Sequence, residues 1–247
     1  MSDLLEVARV TKRYGGIVAN KHVSLAVPEG SIVGLIGPNG SGKTTLFNSI
    51  AGTHPIDEGS IRFAGREISD LRVPDIARLG LLRTFQQTRV FRQMTCLDNM
   101  LVSLPKQDTR LAAMIARPAA AERGRAEELL GFVGLATKRD NAAGSLSFGQ
   151  QKLLEFAMAL MNEPRLLLLD EPTAGINPTL INGLVERLKR ARDRLGITLL
   201  IIEHNMRVVM NLAEHIYCLA HGEILAEGKP AAIQNDPRVI AAYLGES

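Results

Sequence analysis

The stretch GPNGSGKTT at residues 37–45 constrains this chain more than any other part of its 247 residues. Its spacing is G-x-x-x-x-G-K-[ST], with Gly37, Gly42, Lys43 and Thr44 at the marked positions. An apolar strand-like run at 31–36 precedes it and a helical pattern at about 43–51 follows. Glycines let the backbone curl so that successive N–H groups point inward at phosphate oxygens, and the following helix adds its positive dipole end. Pro38, Asn39, Gly40, Ser41 and Thr45 complete the loop. Lys43 is the residue expected to reach the β- and γ-phosphates, and the Thr44 hydroxyl is expected to ligate Mg²⁺. A strand before and a helix after make this a nucleoside-triphosphate site, with Mg²⁺ as the expected metal.

The rest of the chain fits an α/β fold around that loop. Strands are expected at about 4–10, 22–27, 31–36, 60–64, 165–170, 197–202 and 215–220. The segments IVGLIG, LLLLDEP and ITLLIIEH each hold a nearly continuous apolar run, as strands buried on both faces of a mostly parallel sheet should. Helices are expected at about 179–195 and 205–213, and strand-then-helix order places ligands at the carboxyl ends of the strands. Between about 88 and 160 strands vanish and helical stretches take over, which reads as an inserted helical subdomain. The expected organisation is therefore residues 1–87 as the first part of the nucleotide-binding core, 88–160 as the helical subdomain, and 161–247 as the second part of the core.

A second acidic motif completes the chemistry. RLLLLDEPTAG at 165–175 is a buried strand ending in two carboxylates. Asp170, at the strand end beside the loop, is expected in the Mg²⁺ shell. Glu171, one residue on and so pointing differently, is the expected general base that polarises a water for attack on the γ-phosphate. Two further polar residues end expected strands: Gln86, which can bridge metal and water, and His204, which can donate to the γ-phosphate.

SLSFGQQKLLEFA at 145–157 reads as a helix start. Ser147 and Gln150 stand three apart, the spacing of a capping box in which the hydroxyl takes a backbone N–H and the amide reaches back.

In order, Tyr14, the phosphate loop, Gln86, LSFGQ at 146–150, LLLLDE and His204 resemble the ATP-binding subunits of ABC transporters across essentially the whole chain. The resemblance implies an ABC ATPase fold: a P-loop, RecA-like core with a mostly parallel sheet, an N-terminal antiparallel β portion and the helical insertion. It implies that Tyr14 stacks on adenine and that Gln86 links the metal site to the helical subdomain. It further implies that Ser147, Gly149 and Gln150 form the signature that contacts the ATP of a second ATPase subunit, and that His204 is the switch histidine. The implied partners are that second subunit, in a homo- or heterodimer, two transmembrane permease subunits and, indirectly, a periplasmic solute-binding protein. The implied place is the cytoplasmic face of a bacterial inner membrane.

RTFQQTRVFRQMT at 83–95, the FGQQ continuation, EPTAGINP, EHNMRVVM and the ending NDPRVIAAYLGE resemble most the LivG-type ATPases of branched-chain amino-acid importers. Urea and amide importers and the lipopolysaccharide-export ATPase share much of this wording, and non-transport ABC ATPases are a further alternative. Two positions depart from the common pattern: Phe148 stands where the signature usually has Gly, and Asn177 where the loop after the acidic pair usually has Asp.

Composition narrows the remaining classes. The formal charge is +3, and the basic cluster Arg110, Arg117, Arg123 and Arg125 is broken by Asp108 and Glu122, so no nucleic-acid partner is expected. Cys96 and Cys218 lack metal-ligand spacing and read as reduced core residues. The N-terminal residues lack a signal-peptide pattern, and the longest apolar runs fall far short of a membrane span.

Overall fold

A computed structural model describes residues 2–84, 90–104 and 119–244. The chain divides into two compact units, one of residues 1–83, 165–173 and 188–247, the other of residues 84–164 and 174–187.

The first unit is built on two sheets. Strands β1 (Asp3–Tyr14), β2 (Ile17–Pro28), β4 (Glu58–Phe63) and β5 (Arg66–Glu67) form an antiparallel sheet in the order β2-β1-β4-β5. Strands β3 (Ile32–Ile36), β6 (Leu81–Arg83), β7 (Leu166–Asp170), β8 (Thr198–Ile202), β9 (His215–Ala220) and β10 (Glu223–Gly228) form the other, in the order β10-β9-β3-β8-β7-β6. This second sheet is parallel except for β10, which returns antiparallel beside β9. Every residue of β3, β7 and β8 is buried, which is why those strands are apolar except for Asp170 at the end of β7 and Thr198 at the start of β8. One apolar cluster joins the sheets, taking Leu5, Val7 and Phe63 from the first, Leu35, Leu168 and Leu200 from the second, and Leu46, Phe47 and Ile50 from helix α1 (Lys43–Ile50).

Three hairpins enlarge the β content beyond the expected strands. β1 and β2 run to Tyr14 and from Ile17 because Gly15–Gly16 forms a two-residue turn, with Tyr14 paired to Ile17. The turns Ala64–Gly65 and His221–Gly222 have positive φ at both residues (51° and 76°, 49° and 78°), the geometry that matches strand twist in a tight hairpin. They add β5 and β10.

The second unit is helical. Among the described residues its helices are α3 (Cys96–Val102), α4 (Ala120–Phe132), α5 (Phe148–Leu160) and the first half of α6 (Pro178–Leu195); α2 (Val73–Arg78) belongs to the first unit. Leu97 and Met100 of α3, Leu129 and Leu130 of α4, and Leu154 and Ala157 of α5 are buried. Buried Asn99 fixes the approach to α3, donating to the carbonyls of Phe91 and Thr95 and accepting from the Phe91 N–H. Beyond α6 the first unit continues through α7 (Met206–Leu212), α8 (Pro230–Gln234) and α9 (Pro237–Leu244). Among the described residues, no helix is long and apolar enough to cross a membrane.

Candidate active site

The loop between β3 and α1 lies at the carboxyl end of a central strand, as parallel-sheet ligand sites do. Gly37 and Gly42 are required by space. A Cβ on Gly42, where φ is 102°, would stand 2.3 Å from the Ala19 carbonyl oxygen. Asn20, buried between β2 and the loop, donates to the Gly42 carbonyl at 3.2 Å. The Ser41 carbonyl accepts from the Gly222 N–H in the β9–β10 turn, so both hairpin ends brace the loop.

Lys43 is buried, and its ammonium donates to the carbonyls of Gly37 (2.8 Å) and Pro38 (2.9 Å) and weakly to the Ser41 hydroxyl. Burial lowers its pKa, opposed by the carboxylates of Glu171 and Asp170. No ion pair of Lys43 occurs among the described residues. A buried cation resting on neutral carbonyls is a site for an anion. The space is present too: an open cleft of about 510 Å³ is lined by Ile17, Val18, residues 39–45, Glu171 and His204, with His221 and Gly222 at its edge. The donor set and the room both fit a nucleoside triphosphate.

Glu171 follows the end of β7 in a left-handed conformation, φ 50°, which costs a non-glycine residue about 1 kcal/mol or more. Its N–H is held by the Ile202 carbonyl at 2.9 Å. The Glu171 carboxylate meets His204 Nε2 at 2.8 Å. A carboxylate only accepts, so Nε2 carries the proton. The structure brings these two sequence-predicted residues together in the cleft.

Beneath them lies a carboxylate that spacing did not single out. Glu203, 2% exposed, accepts from the backbone N–H groups of Thr173, His204 and Asn205 and from the Thr173 hydroxyl. It ties the turn carrying Glu171 to the turn carrying His204. Arg83 is a second such residue. Its guanidinium pairs with the buried Asp170 carboxylate at 2.7 Å, donates to the Asn48 amide oxygen and stands over the Phe47 ring. One Asp170 oxygen is thus committed to Arg83.

Tyr14 lies outside the lining of the cleft. It is 43% exposed at the end of β1, with its hydroxyl on His54 Nδ1, its ring edge-on to that imidazole, and Lys12 above its face. Gln86 lies outside the described residues, as do Asp108, Arg110 and Arg117.

The signature residues belong to the helical unit. The capping box is formed as expected: the Gln150 N–H donates to the Ser147 hydroxyl and the Ser147 N–H to the Gln150 side chain. Gly149 is buried under Leu180 and Ile176, and a Cβ there would meet Leu180 at 3.3 Å. Phe148 is 46% exposed, with one ring edge against Gly175, whose φ of 73° and lack of a side chain leave room for it. Asn177 accepts from the N–H and hydroxyl of Thr179 and so starts α6.

Comparison with known proteins agrees with this geometry. The family model for ABC transporters matches residues 20–174, and one for branched-chain amino acid ATP-binding cassette transporters matches residues 223–247. The chain is 41% identical to the high-affinity branched-chain amino acid transport ATP-binding protein BraF of Pseudomonas aeruginosa, over 99% of this chain and 98% of that one. It is 39% identical to the corresponding LivG protein of Escherichia coli, with the same coverage. Among solved structures, the ADP conformation of an ATP-binding cassette of an ABC transporter matches with a TM-score of 0.90 at 33% identity, covering 100% of both chains. A dimeric post-hydrolysis cassette bound to ADP and Pi matches with a TM-score of 0.76 at 29% identity, over 92% of this chain and 98% of that one.

Proposed function

The chain belongs to the ABC transporter family of ATP-binding proteins, and from that premise we propose that it is the ATPase subunit that drives an importer of branched-chain amino acids. The observation that carries the reading is the single cleft in which the buried Lys43 ammonium and the Glu171–His204 pair both stand.

Each residue has a task in hydrolysis of ATP to ADP and phosphate. The loop 37–45 holds the triphosphate by its N–H groups, and Lys43 moves from the Gly37 and Pro38 carbonyls to phosphate oxygens. Glu171 accepts a proton from the attacking water, and His204, donating from Nε2, orients that carboxylate. Val18 and Ile17 offer apolar surface near the loop, and Tyr14 would stack on the base from outside the cleft lining. Mg²⁺ suits the oxygen donors present, because it binds through one or two carboxylates or hydroxyls together with phosphates and water. The Thr44 hydroxyl and the Asp170 carboxylate would hold it, together with Gln86. When bound, that ion neutralises charge developing on the phosphates.

Ser147, Gly149 and Gln150 do their work across a dimer, facing the nucleotide held by a second ATPase subunit's loop. The dimeric cassette among the structural relatives supports this arrangement. Two permease subunits and a solute-binding protein complete the transporter, with this chain on the cytoplasmic face of the membrane.

Glu171→Gln tests the reading. ATP turnover should fall at least about 100-fold while nucleotide binding persists and a nucleotide-bound dimer accumulates on gel filtration. Cells carrying the variant should lose uptake of labelled leucine, isoleucine and valine but keep urea uptake. Unchanged ATPase activity would remove Glu171 as the base, and unchanged leucine uptake would remove the assignment to that importer.

A further inference from the structure

The last helix of the chain touches the phosphate loop. α9 starts after Asp236, whose carboxylate accepts from the Arg238 N–H and pairs with its guanidinium. Val239 and Tyr243 are four residues apart and therefore share a face, Tyr243 keeping 36% of its surface exposed, while Ile240 and Leu244, 46% and 71% exposed, lie on another. Val239 is 2% exposed in an apolar cluster with Ile36, Val209, Ile216 and Cys218. Ile36 is the last residue of β3, paired with Cys218 of β9, so the inner face of α9 sits at the strand end from which the loop springs.

One turn beyond Val239, the Tyr243 hydroxyl accepts a hydrogen bond from the Gly37 N–H at 2.8 Å, across 206 residues of sequence. Gly37 is the most tightly built position of the loop. Its φ is 148°, and a Cβ would lie 2.0 Å from the Leu219 carbonyl oxygen. Its carbonyl accepts from Lys43, so Gly37 is held from both sides, by Lys43 at its oxygen and by Tyr243 at its nitrogen. Burial pushes the Tyr243 hydroxyl up to about 12, which keeps it a neutral hydroxyl throughout the physiological range.

We propose that α9 clamps the phosphate loop, and that Tyr243 is a positioning residue for nucleotide binding through its bond to Gly37. The inference rests on the loop's role in binding ATP. When Lys43 turns to a phosphate oxygen it releases the Gly37 carbonyl, and the Tyr243 bond remains to hold the loop's first residue against β9. Without the hydroxyl, the Gly37 N–H must turn toward water to be satisfied. The binding-competent loop is then a smaller fraction of the population, and apparent affinity falls by that fraction.

The test uses the full chain and three proteins: wild type, Tyr243→Phe and Lys43→Ala. Titration with a fluorescent ATP analogue gives affinity, and amide hydrogen exchange by NMR follows Gly37 beside Gly34 and Leu35 in β3. Tyr243→Phe should bind about three- to tenfold more weakly, the worth of one hydrogen bond. Its Gly37 amide should exchange at least about tenfold faster while Gly34 and Leu35 stay at wild-type rates. Wild-type affinity in Tyr243→Phe overturns the proposal, as does weaker binding without faster exchange at Gly37. A wild-type Gly37 amide that exchanges like an exposed glycine overturns it whatever the variant does, including a failure to fold. Lys43→Ala separates this from the loop's own role: if that variant also binds normally, the phosphate-loop reading itself fails.

Discussion

Helices α1 and α5 both begin beside a glycine, yet their N-termini are finished in opposite ways. α1 starts at Gly42 with no side-chain cap, and the residue that follows is a buried lysine bonded only to neutral oxygens. α5 starts at Ser147, an exposed residue, with a reciprocal cap from Gln150. The first end leaves its needs to a ligand; the second satisfies itself within four residues. A helix N-terminus attracts anions in either case, through its dipole and its N–H groups. The α1 end is therefore suited to hold a phosphate by itself. The α5 end is suited to join one already held elsewhere, which is the division of labour that a nucleotide shared between two subunits needs.

Removing the charge at the α1 end breaks the comparison most severely. Lys43→Ala deletes a buried ammonium that makes charge-assisted bonds, each worth about 1.5–3 kcal/mol. ATP affinity should fall at least about 100-fold by titration, with the fold intact by circular dichroism. Affinity within twofold of wild type would mean that the nucleotide is not held at this loop.

At the α5 end, capping and phosphate contact can be separated. Ser147→Ala loses the cap, which costs about 1 kcal/mol of stability. Ser147→Asp keeps it, since aspartate caps as well as serine, but adds a negative charge where a phosphate should arrive. Ser147→Asp should therefore melt close to wild type while its dimer-dependent ATPase falls at least about tenfold. Wild-type turnover in that variant would show that α5 only starts a helix.

The two ends also differ from much of the molecule in how plainly the sequence displays them. The phosphate loop, the Asp170–Glu171 pair and the Ser147–Gln150 box are contiguous patterns, set by local backbone geometry. The buried strands β3, β7 and β8 were visible for a similar reason, as short unbroken apolar runs. Arg83, Glu203 and Tyr243 were not, because their partners lie far away in sequence: 87 residues separate Arg83 from Asp170 and 206 separate Tyr243 from Gly37. Glu203 stood in plain view beside His204, yet nothing local distinguishes a carboxylate that organises two turns from one that faces water. Strands β5 and β10 were missed because Ala64–Gly65 and His221–Gly222 make tight turns without the Asn-Gly or Asp-Gly pairs that usually mark them.

The smallest expected effect uses pH to sharpen the contrast. Burial lowers the Lys43 pKa below its ordinary value of 10.5, whereas Ser147 and Gln150 have nothing to titrate near neutrality. In the nucleotide-free protein the unfolded chain then holds the Lys43 proton more tightly than the folded one. Between the lowered folded pKa and 10.5, the unfolded state binds more protons, so the Lys43 contribution to folding stability rises with pH. Nucleotide affinity should move the other way over the same window, because the ammonium that meets the phosphate is being lost. Other groups titrate there as well: Cys218, pushed up to about 11 by burial, lowers stability as pH rises beyond its ordinary value. The difference between wild type and Lys43→Met isolates the lysine. Urea unfolding and ATP titration from pH 8 to 10.5 should show that difference growing in favour of the wild type for stability and shrinking for affinity. Parallel trends in the two measurements would mean that Lys43 is not a buried cation waiting for an anion.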